Sequence, residues 1–424
     1  MAEIFYMTKL RVLFELKHSI QIKIRKISFW LFRKWNIPIS IVRAIINPFG
    51  FSILPISSFE KSTEIVLLAK KCKSFSFSPK EENSNSKKLE NFFPDIYARK
   101  FSFATIINCH QFAINSKEKI YIPQYYFENI PRISCGGHGF SILRKGLGII
   151  IEKSTINISH GIGLIGSGSS NWYHWLIEIL PIVMLAEKLP LAYRNYAFLV
   201  PNEYNKYQTF RDSLDALKSH RKIIILESDK QYQVENFIVI DIPVHGPFNL
   251  MKGKWPKISD YRQNENVLID YRLRILKNYG IENFKPNEKI FLSRKNKRRN
   301  YNQIDLERIA KENGFTIVYP EILSFYEQVS LFNSAKYIVG ASGAAWANIL
   351  FCQKNTFGLT WIFPEYKEFC VYSNLAAIAG MNLSYFFTST AKPLKSTNKA
   401  YRMNYRVDPQ FFIKKLKLFL ENSE

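Results

Sequence analysis

A histidine and a glutamate stand four residues apart in the segment NWYHWLIE, which covers residues 171–178. A histidine side chain titrates near neutral pH, so His174 could take the proton of a reacting hydroxyl group. If the segment is helical, Glu178 lies on the same face and could orient the imidazole ring. The segment also holds aromatic side chains whose flat faces suit sugar rings: Trp172, Tyr173 and Trp175. The alternative is a buried helix start, in which His174 is satisfied internally and the aromatic side chains belong to the core.

The pattern G-x-G-x-x-G at residues 161–166 precedes this segment and is found in dinucleotide-binding folds. A true fingerprint opens a helix at once and has an acidic residue about 20 positions later, at the end of the next strand. Here Gly166 is followed by SGSSN, and Glu187 falls within the same predicted helical region. The pattern therefore favours a flexible Gly/Ser loop leading into a helix N-terminus, where free N–H groups suit an anion or sugar hydroxyls.

Two further segments follow predicted strands: SRKNKRRN at residues 293–300 and GASGAAWAN at residues 340–348. In parallel α/β sheets, ligands bind beyond the carboxyl ends of the strands, and arginine can hold phosphate oxygens with paired hydrogen bonds. Small residues allow backbone N–H groups to approach a phosphate closely. Glu321 follows another strand, where an acidic side chain often contacts a ribose hydroxyl. The alternatives are a solvated basic loop and tight packing between strand and helix.

Common metal-dependent and nucleophilic motifs are missing from the sequence. It has no D-x-D at a strand end, no P-loop, no H-E-x-x-H and no G-x-S-x-G. The five cysteines include no C-x-x-C pair, which argues against a zinc site or a disulfide framework and fits a reducing compartment. We therefore expect neither a bound metal nor another cofactor.

The net charge of +24 has two interpretations: a compositional bias spread over the surface, or an anionic partner such as a phosphorylated donor, an anionic lipid or nucleic acid. Trp and Phe side chains lie among Lys and Arg in the first 50 residues, and the cations interrupt any apolar run of the ~20 residues that span a membrane. We expect a basic amphipathic helical segment, either on an anionic membrane surface or packed on its own domain. No signal peptide or nucleic-acid-binding motif is visible, so we expect a cytoplasmic location and no specific nucleic-acid partner.

The elements that must position these residues indicate an α/β protein. After the basic segment at residues 1–50, residues 51–255 begin with short β-rich runs and continue with alternating strands and helices. Pro181 predicts a kink or a boundary in the helix that starts near Asn171. Residues 256–424 alternate regularly between strand and helix, which predicts a parallel Rossmann-like sheet. We place an interdomain boundary or an active-site loop in the Pro- and Gly-rich stretch at residues 243–257.

Three ordered motifs resemble glycosyltransferase family 61: NWYHWLIEILP, FLSRKNKRRN and SFYEQVSLFNSAKYIVGASGAAWANILFC. The resemblance implies a GT-B-like architecture, with two Rossmann-like domains and the active site in the cleft between them. It also implies a nucleotide-sugar donor, inversion at the anomeric carbon and no obligatory metal. Many members have Pro and His where this chain has Ala341 and Ser342. We therefore expect this loop to contact phosphate through its backbone.

The resemblance, together with the chemistry of the side chains, assigns a role to each candidate residue. His174 is the expected general base on the acceptor hydroxyl, and Glu178 is its orienting partner. The expected acceptor contacts are Asn171, Trp172, Tyr173 and Trp175. The expected donor contacts are Ser293, Arg294, Lys295, Arg299, Glu321, Gly340, Ser342, Gly343, Ala344 and Asn348.

We interpret the chain as a metal-independent inverting glycosyltransferase that uses a nucleotide sugar, expected to be UDP-linked, and a glycan or lipid-linked acceptor. Bacterial members of the family often act in capsule and surface-polysaccharide biosynthesis. The resemblance therefore implies that setting, with peripheral contact at the cytoplasmic face of the inner membrane. The competing hypothesis is a non-catalytic basic protein that binds polyanions or nucleic acid.

Overall fold

A computed structural model describes residues 51–55, 58, 65–108, 113–116, 119–122, 140–144, 147–150, 155–166, 168–227, 230–247, 254–281, 288–295, 300–388, 394, 397–400 and 403–423. The predicted basic amphipathic segment at residues 1–50 lies outside these residues, as does Arg299. We refer to residues 51–247 as the first half and to residues 254–423 as the second half.

Both halves contain strands and helices. In chain order, the strands are β1 (Phe51–Pro55), β2 (Ile65–Ala69), β3 (Cys72–Phe77), β4 (Lys88–Phe93), β5 (Ile96–Asn108), β6 (Ala113–Ser116), β7 (Lys119–Ile122), β8 (Phe140–Arg144), β9 (Leu147–Ile150), β10 (Thr155–Gly163), β11 (Ala197–Pro201), β12 (Ile223–Leu226), β13 (Gln231–Ile240), β14 (Val244–His245), β15 (Arg262–Gln263), β16 (Glu288–Leu292), β17 (Thr316–Val318), β18 (Ala335–Ala341), β19 (Phe357–Ile362) and β20 (Asn382–Phe387). The α-helices are α1 (Ile182–Ala186), α2 (Glu203–Lys206), α3 (Gln208–Asp215), α4 (Glu265–Tyr279), α5 (Gln303–Glu312), α6 (Phe325–Ser334), α7 (Val371–Ala379), α8 (Thr397–Ala400) and α9 (Pro409–Glu421). A π-helical segment covers His174–Ile179, and 3-10 helices cover Leu191–Tyr193, Ile258–Asp260, Pro320–Ile322, Ala344–Phe351 and Pro364–Tyr366.

The first sheet contains four neighbouring parallel strands in the order β12-β11-β10-β13. Every residue of β11 is buried, as expected for a strand that is covered on both faces. The π-helical segment and α1 connect β10 to β11, and β13 pairs on its other side with the antiparallel β5. The strand order reverses between β10 and β13. Their carboxyl ends therefore form the kind of switch point at which such sheets bind ligands.

The glycines of the G-x-G-x-x-G pattern serve the packing of this sheet. A Cβ on Gly161 would lie 2.6 Å from the side chain of Leu199 in β11, and one on Gly163 would lie 2.9 Å from Phe237 in β13. Because β10 runs between these two strands, its glycines give their larger side chains the space they need. The pattern thus has a packing function, in agreement with the prediction that it is not a dinucleotide fingerprint.

The second sheet is parallel throughout, in the order β17-β16-β18-β19-β20. The strand–helix alternation predicted for this part of the chain is confirmed, with α5 between β16 and β17 and α6 before β18. Ser324 caps α6 and forms the predicted capping box with Glu327. The strand order reverses between β16 and β18, which gives this sheet its own switch point.

Two helices near these switch points differ from regular α-helix. The segment that ends before Pro181 is π-helical, and the Leu180 N–H donates to the Trp175 carbonyl at 2.9 Å. Proline lacks an N–H, and in an α-helix its ring crowds the carbonyl four residues earlier, so the wider winding accommodates Pro181. The segment after Gly343 is a 3-10 helix. The boundary predicted at Pro181 is confirmed, because α1 begins directly after it.

A hairpin of the first half, β3–β4, packs against the second half. The Phe77 N–H donates to Asn374 Oδ1 at 2.9 Å, and the Gln263 N–H donates to Ser74 Oγ at 2.9 Å. One buried hydrophobic cluster also contains side chains from both halves. The two sheets are therefore held together by a shared core and by the hairpin.

Candidate active site

A cleft with a volume of about 750 Å³ lies at the carboxyl ends of the parallel strands of both sheets. The first half lines it with residues 170–174 and with His245, among others. The second half lines it with Arg294, Glu321 and residues 341–345, among others. This volume lies in the upper part of the ~300–1,000 Å³ range that is usual for small-molecule sites. The cleft therefore brings together the motifs that the sequence places on separate strands.

His174 and Glu178 form a titratable pair on the wall of the first half. Their Nδ1 and Oε2 atoms are 2.9 Å apart, and Glu178 is buried. The two groups are not aligned as a hydrogen bond, so we describe the contact as an ion pair that forms fully when the imidazole is protonated. Because Nδ1 faces Glu178, Nε2 is the ring nitrogen left to exchange a proton with a substrate.

Gly168 packs against the imidazole ring of His174. A Cβ at this position would lie 2.6 Å from His174 Cδ2. The φ of Gly168 is +78°, in the left-handed region that side chains rarely adopt. Glycine is therefore required both by the backbone and by the ring. Gly168 of the predicted Gly/Ser loop thus leaves the space that the His174 ring occupies.

Burial and charge act on His174 in opposite directions. Burial lowers its pKa, whereas the carboxylate of Glu178 raises it, and the resulting pKa lies above the usual value of 6.5. The pKa of Tyr173 lies well above 10, first because of burial and then because of the same carboxylate. Tyr173 therefore remains a neutral hydroxyl group at physiological pH, and Glu178 favours a proton on both neighbours.

The predicted acceptor residues fall into two groups. Asn171, Trp172 and Tyr173 line the cleft, and Asn171 Oδ1 accepts a hydrogen bond from the Tyr173 N–H at 2.9 Å. Trp175 is fully buried, and its indole stacks on Phe210 with ring centroids 5.0 Å apart. Trp175 is therefore a core residue that offers no face to a sugar, which corrects the acceptor contact expected for it.

Arg294 faces the cleft from the second half. Its guanidinium group donates hydrogen bonds to the carbonyl oxygens of Ser342 and Ala341. A Cβ on Gly343 would lie 2.5 Å from Arg294 Nη2, so this glycine leaves the space that the guanidinium group occupies. The Gly343 carbonyl accepts a hydrogen bond from the Tyr372 hydroxyl at 2.8 Å. Arg294 and the Gly-rich loop thus meet at the switch point of the second sheet.

The other basic-motif residues are placed differently. Ser293 lines the cleft but is only 2% exposed, and its hydroxyl donates to Glu307. Glu307 also accepts a hydrogen bond from Gln303 Nε2 at 2.8 Å. Lys295 is exposed and is not one of the residues that line the cleft. Ser293 thus fixes the start of the loop, while the donor contacts predicted for Lys295 and Arg299 stay predictions.

The remaining donor candidates divide in the same way. Ala344 and Glu321 line the cleft, and Glu321 is exposed. Gly340 is buried in β18, where a Cβ would lie 2.7 Å from the Leu292 carbonyl oxygen. Asn348 is fully buried. Gly340 therefore allows β16 and β18 to pair closely, and neither it nor Asn348 reaches the cleft, which corrects the direct donor contacts expected for both.

Asn348 instead connects the two walls of the cleft. Its Oδ1 accepts a hydrogen bond from Trp172 Nε1 at 3.4 Å, and its Nδ2 donates to Gln328 Oε1 at 2.8 Å. Gln328 Nε2 donates to the carbonyls of Pro320 and Leu323 at 3.0 and 3.2 Å. This chain of hydrogen bonds links the His174 motif to the segment that precedes α6.

Residues 172–358 match the family model described as Glycosyltransferase 61. This part of the chain is similar to glycosyltransferase family 61. The matched region includes His174, Arg294 and the Gly-rich loop, so the expected resemblance is confirmed over the residues that form the cleft. This similarity points to glycosyltransferase activity. The comparison with curated proteins gives no match.

The cleft also contains residues that the motifs did not identify. His245 lines the cleft from β14, and burial, with a contribution from Arg262, lowers its pKa to about 3. Its ring is therefore neutral near pH 7. Tyr207 lines the cleft with 53% of its surface exposed. The Pro- and Gly-rich stretch around His245 was a signal for an active-site loop, whereas Tyr207 lies in no recognisable motif.

The described part of the chain holds neither a metal-binding cluster nor a membrane-spanning helix. No three His, Cys, Asp or Glu side chains there are grouped in a way that could hold a metal ion. Among the same described residues, no helix combines the length and the apolar character needed to cross a bilayer.

Proposed function

We propose that this protein is an inverting glycosyltransferase that moves a sugar from a nucleotide sugar to an acceptor hydroxyl. One observation carries the proposal: the His174–Glu178 pair and the Arg294 guanidinium face one cleft from the switch points of two parallel sheets. A general base on one wall and a cation beside a Gly-rich loop on the other suit a single displacement at a sugar carbon.

On the donor side, the diphosphate would lie where β16 and β18 end. Arg294 would exchange its hydrogen bonds to the loop carbonyls for bonds to diphosphate oxygens, which it can hold in pairs. Ala344 and Ala345, at the start of the 3-10 helix Ala344–Phe351, line the cleft, and their backbone N–H groups would add further donors. These groups would stabilise the negative charge that develops on the leaving nucleoside diphosphate.

On the acceptor side, His174 Nε2 would take the proton from the acceptor hydroxyl. The hydroxyl oxygen would attack the anomeric carbon from the side opposite the diphosphate. The new glycosidic bond forms as the bond to the diphosphate breaks, so the configuration inverts in one step. Glu178 would hold the ring from its Nδ1 side and stabilise the imidazolium that results. This step requires no covalent sugar–protein intermediate, and we propose that it requires no metal.

The proposal extends to architecture and setting. Two sheets whose parallel strands end at one cleft support a GT-B-like layout, with the division between acceptor-side and donor-side domains near residue 255. The donor would be UDP-linked, and the product would be a surface or capsular polysaccharide of a bacterial cell. The aromatic and basic residues within positions 1–50 support contact with the cytoplasmic face of the inner membrane.

A thermal-shift panel of nucleoside diphosphates and nucleotide sugars, with and without EDTA, tests this function. A ligand at 100 times its Kd raises the free energy of unfolding by ~2.7 kcal/mol. We expect one nucleotide to give a selective shift that EDTA leaves unchanged. Arg294→Ala should lose this shift. The matched control Arg308→Ala removes an exposed arginine of a surface pair with Glu312 and should keep it.

Other outcomes would point elsewhere. No shift with any nucleotide, together with strong shifts by DNA or heparin, would identify the polyanion-binding alternative. A shift that EDTA abolishes would overturn metal independence.

Cosedimentation with anionic vesicles tests the membrane contact, because a variant that lacks residues 1–45 should lose binding. Undiminished binding by that variant would contradict the role of the basic segment.

A further inference from the structure

An aromatic wall leads from the mouth of the cleft towards His174. It consists of Tyr207, Phe210 and Trp172, which we call the aromatic arm. The ring centroids of Tyr207 and Phe210 are 5.8 Å apart, and those of Phe210 and Trp172 are 5.6 Å apart. Trp172 is two residues before His174 in the chain. A ligand on this wall therefore lies next to the proposed general base.

Tyr207 is the exposed end of the aromatic arm. It precedes α3 in an extended conformation, with 53% of its surface open to solvent, whereas Phe210 is only 4% exposed. The core therefore does not account for the position of the Tyr207 ring. A flat, half-exposed aromatic face beside a cleft favours a ligand with an apolar face of its own, such as a sugar ring.

The arm has a defined position because α3 packs on the start of α6. Asp212 Oδ2 accepts a hydrogen bond from the Phe325 N–H at 3.4 Å, and the Trp172 ring contacts Phe325 with centroids 5.8 Å apart. Glu321 lies four residues before Phe325 and lines the same cleft. The aromatic wall of the first half and a carboxylate of the second half therefore line the same cleft.

The charges of the side chains that line the cleft favour an uncharged ligand at the arm. Among the described residues that line the cleft, Arg294 is the one Lys or Arg side chain, and it is bonded to the Gly-rich loop at the other switch point. Thr209 and Asn171 line the cleft near the arm and offer neutral hydrogen-bonding groups. Aromatic faces with neutral and acidic hydrogen-bond partners suit the hydroxyl groups and the C–H faces of an uncharged carbohydrate.

We propose that the aromatic arm binds the penultimate sugar of the acceptor, so that the acceptor is a neutral oligosaccharide of at least two sugars. This inference rests on the proposed function, because His174 must act on the terminal sugar of the same chain. Tyr207 is then a specificity-determining residue: it contacts the sugar that does not react and selects for acceptor length. An acceptor whose reacting sugar is attached directly to a lipid diphosphate does not fit the arm.

An array of neutral mono- to hexasaccharides, probed with the full-length protein, tests the inference. We expect di- and longer saccharides to bind about tenfold more tightly than the matching monosaccharides. Tyr207→Ala should lose that gain, and Tyr207→Phe should keep it, because the flat ring remains. Phe92→Ala is the matched control, since Phe92 is 59% exposed and does not line the cleft.

Several results would overturn the inference: equal binding of mono- and oligosaccharides, unchanged binding by Tyr207→Ala, binding only of phosphate- or carboxylate-bearing glycans, or no glycan binding at all. The nucleotide-induced thermal shift is measured on the same variants. Tyr207→Ala should keep that shift, because Tyr207 lies away from the switch point of the second sheet. If no nucleotide shifts the melting temperature of the wild-type protein, the result counts against the proposed function. The saccharide array alone decides the acceptor class.

Discussion

The two walls of the cleft use glycine in different ways. On the first wall Gly168 lies against His174, and on the second wall Gly343 lies against Arg294. Gly168 has a φ of +78°, so its backbone alone excludes most side chains. Gly343 has a φ of 176°, an extended conformation that any residue can adopt. A side chain at position 343 would be restricted only by the Arg294 guanidinium group beside it.

This difference indicates that the two walls have different rigidity. The His174 ring is held between Glu178 and a glycine whose conformation is special, so its position is built into the backbone. Arg294 ends a flexible side chain that bonds to backbone carbonyls and can change partners. A base that must meet one hydroxyl gains from a fixed position. A cation that must release one ligand and bind another gains from freedom to move.

The largest effect is expected when the imidazole of His174 is removed from the first wall. His174→Ala should lower the rate of sugar transfer ~10²–10⁴-fold, the usual contribution of a general base. Nucleotide binding, measured by thermal shift, should stay within about twofold of wild type, because the donor is held by the other wall. Transfer at the full rate by this variant would show that His174 is not the base.

Alanine substitutions at the two glycines compare how strongly each wall depends on its glycine. Gly168→Ala should lower the free energy of unfolding by roughly 1–2 kcal/mol, the cost of a left-handed conformation, and should displace the His174 ring. Gly343→Ala should change stability by less than ~0.5 kcal/mol, because only the end of Arg294 must move, but should weaken nucleotide binding. Denaturant unfolding and thermal shift measure the two effects. Equal destabilisation by both variants would remove the proposed difference in rigidity.

Glu178→Gln tests the charge that acts on His174. The carboxylate raises the pKa of His174, and a general base works only when it is neutral. The rate of the wild-type protein should therefore rise with pH through this raised pKa, and the variant should reach its plateau at lower pH. The stability contributed by the pair is fully present below about pH 6.5 and is lost as pH rises through the raised pKa. An unshifted pH–rate profile in the variant would contradict this assignment.

The smallest effect at neutral pH is expected at the second histidine of the cleft. Because the pKa of His245 is lowered to about 3, the unfolded chain binds its proton more readily, and stability falls as the pH drops below about 6.5. His245→Gln should reduce this acid sensitivity and leave the acid limb of the pH–rate profile in place. Melting temperatures between pH 4 and pH 8 measure the first effect. If His245→Gln shifted the rate profile, His245 rather than His174 would be its source.

The parts of the fold that follow local rules could be predicted. The order of strand, helix and strand from β16 to β20 follows from alternating apolar runs, and the capping box of α6 follows from Ser324 and Glu327. The importance of residues 171–178 could also be recognised, since a histidine and a glutamate at this spacing meet on any helical face. These features depend on residues that are near one another in the chain.

The remaining features depend on contacts between distant residues. Three aromatic residues within four positions look alike in the sequence, but Trp175 packs on Phe210 in the core while Trp172 and Tyr173 face the cleft. Asn348 lies in a Gly-rich phosphate-binding pattern, yet its partners are Trp172 and Gln328. A sequence pattern cannot decide which side of a turn faces solvent, because the neighbouring element makes that choice.

The hairpin β3–β4 has a consequence for how substrates enter. A hinge rotation that opened the cleft would have to break three hydrogen bonds between the halves. They are donated by the Phe77 N–H to Asn374 Oδ1, by the Gln263 N–H to Ser74 Oγ and by the Tyr385 N–H to the Lys80 carbonyl. Ser74 and Asn374 are buried, so these bonds would be lost without immediate replacement by water. Donor and product are therefore expected to exchange through movements of side chains and loops at the mouth, while the two sheets keep their relative orientation.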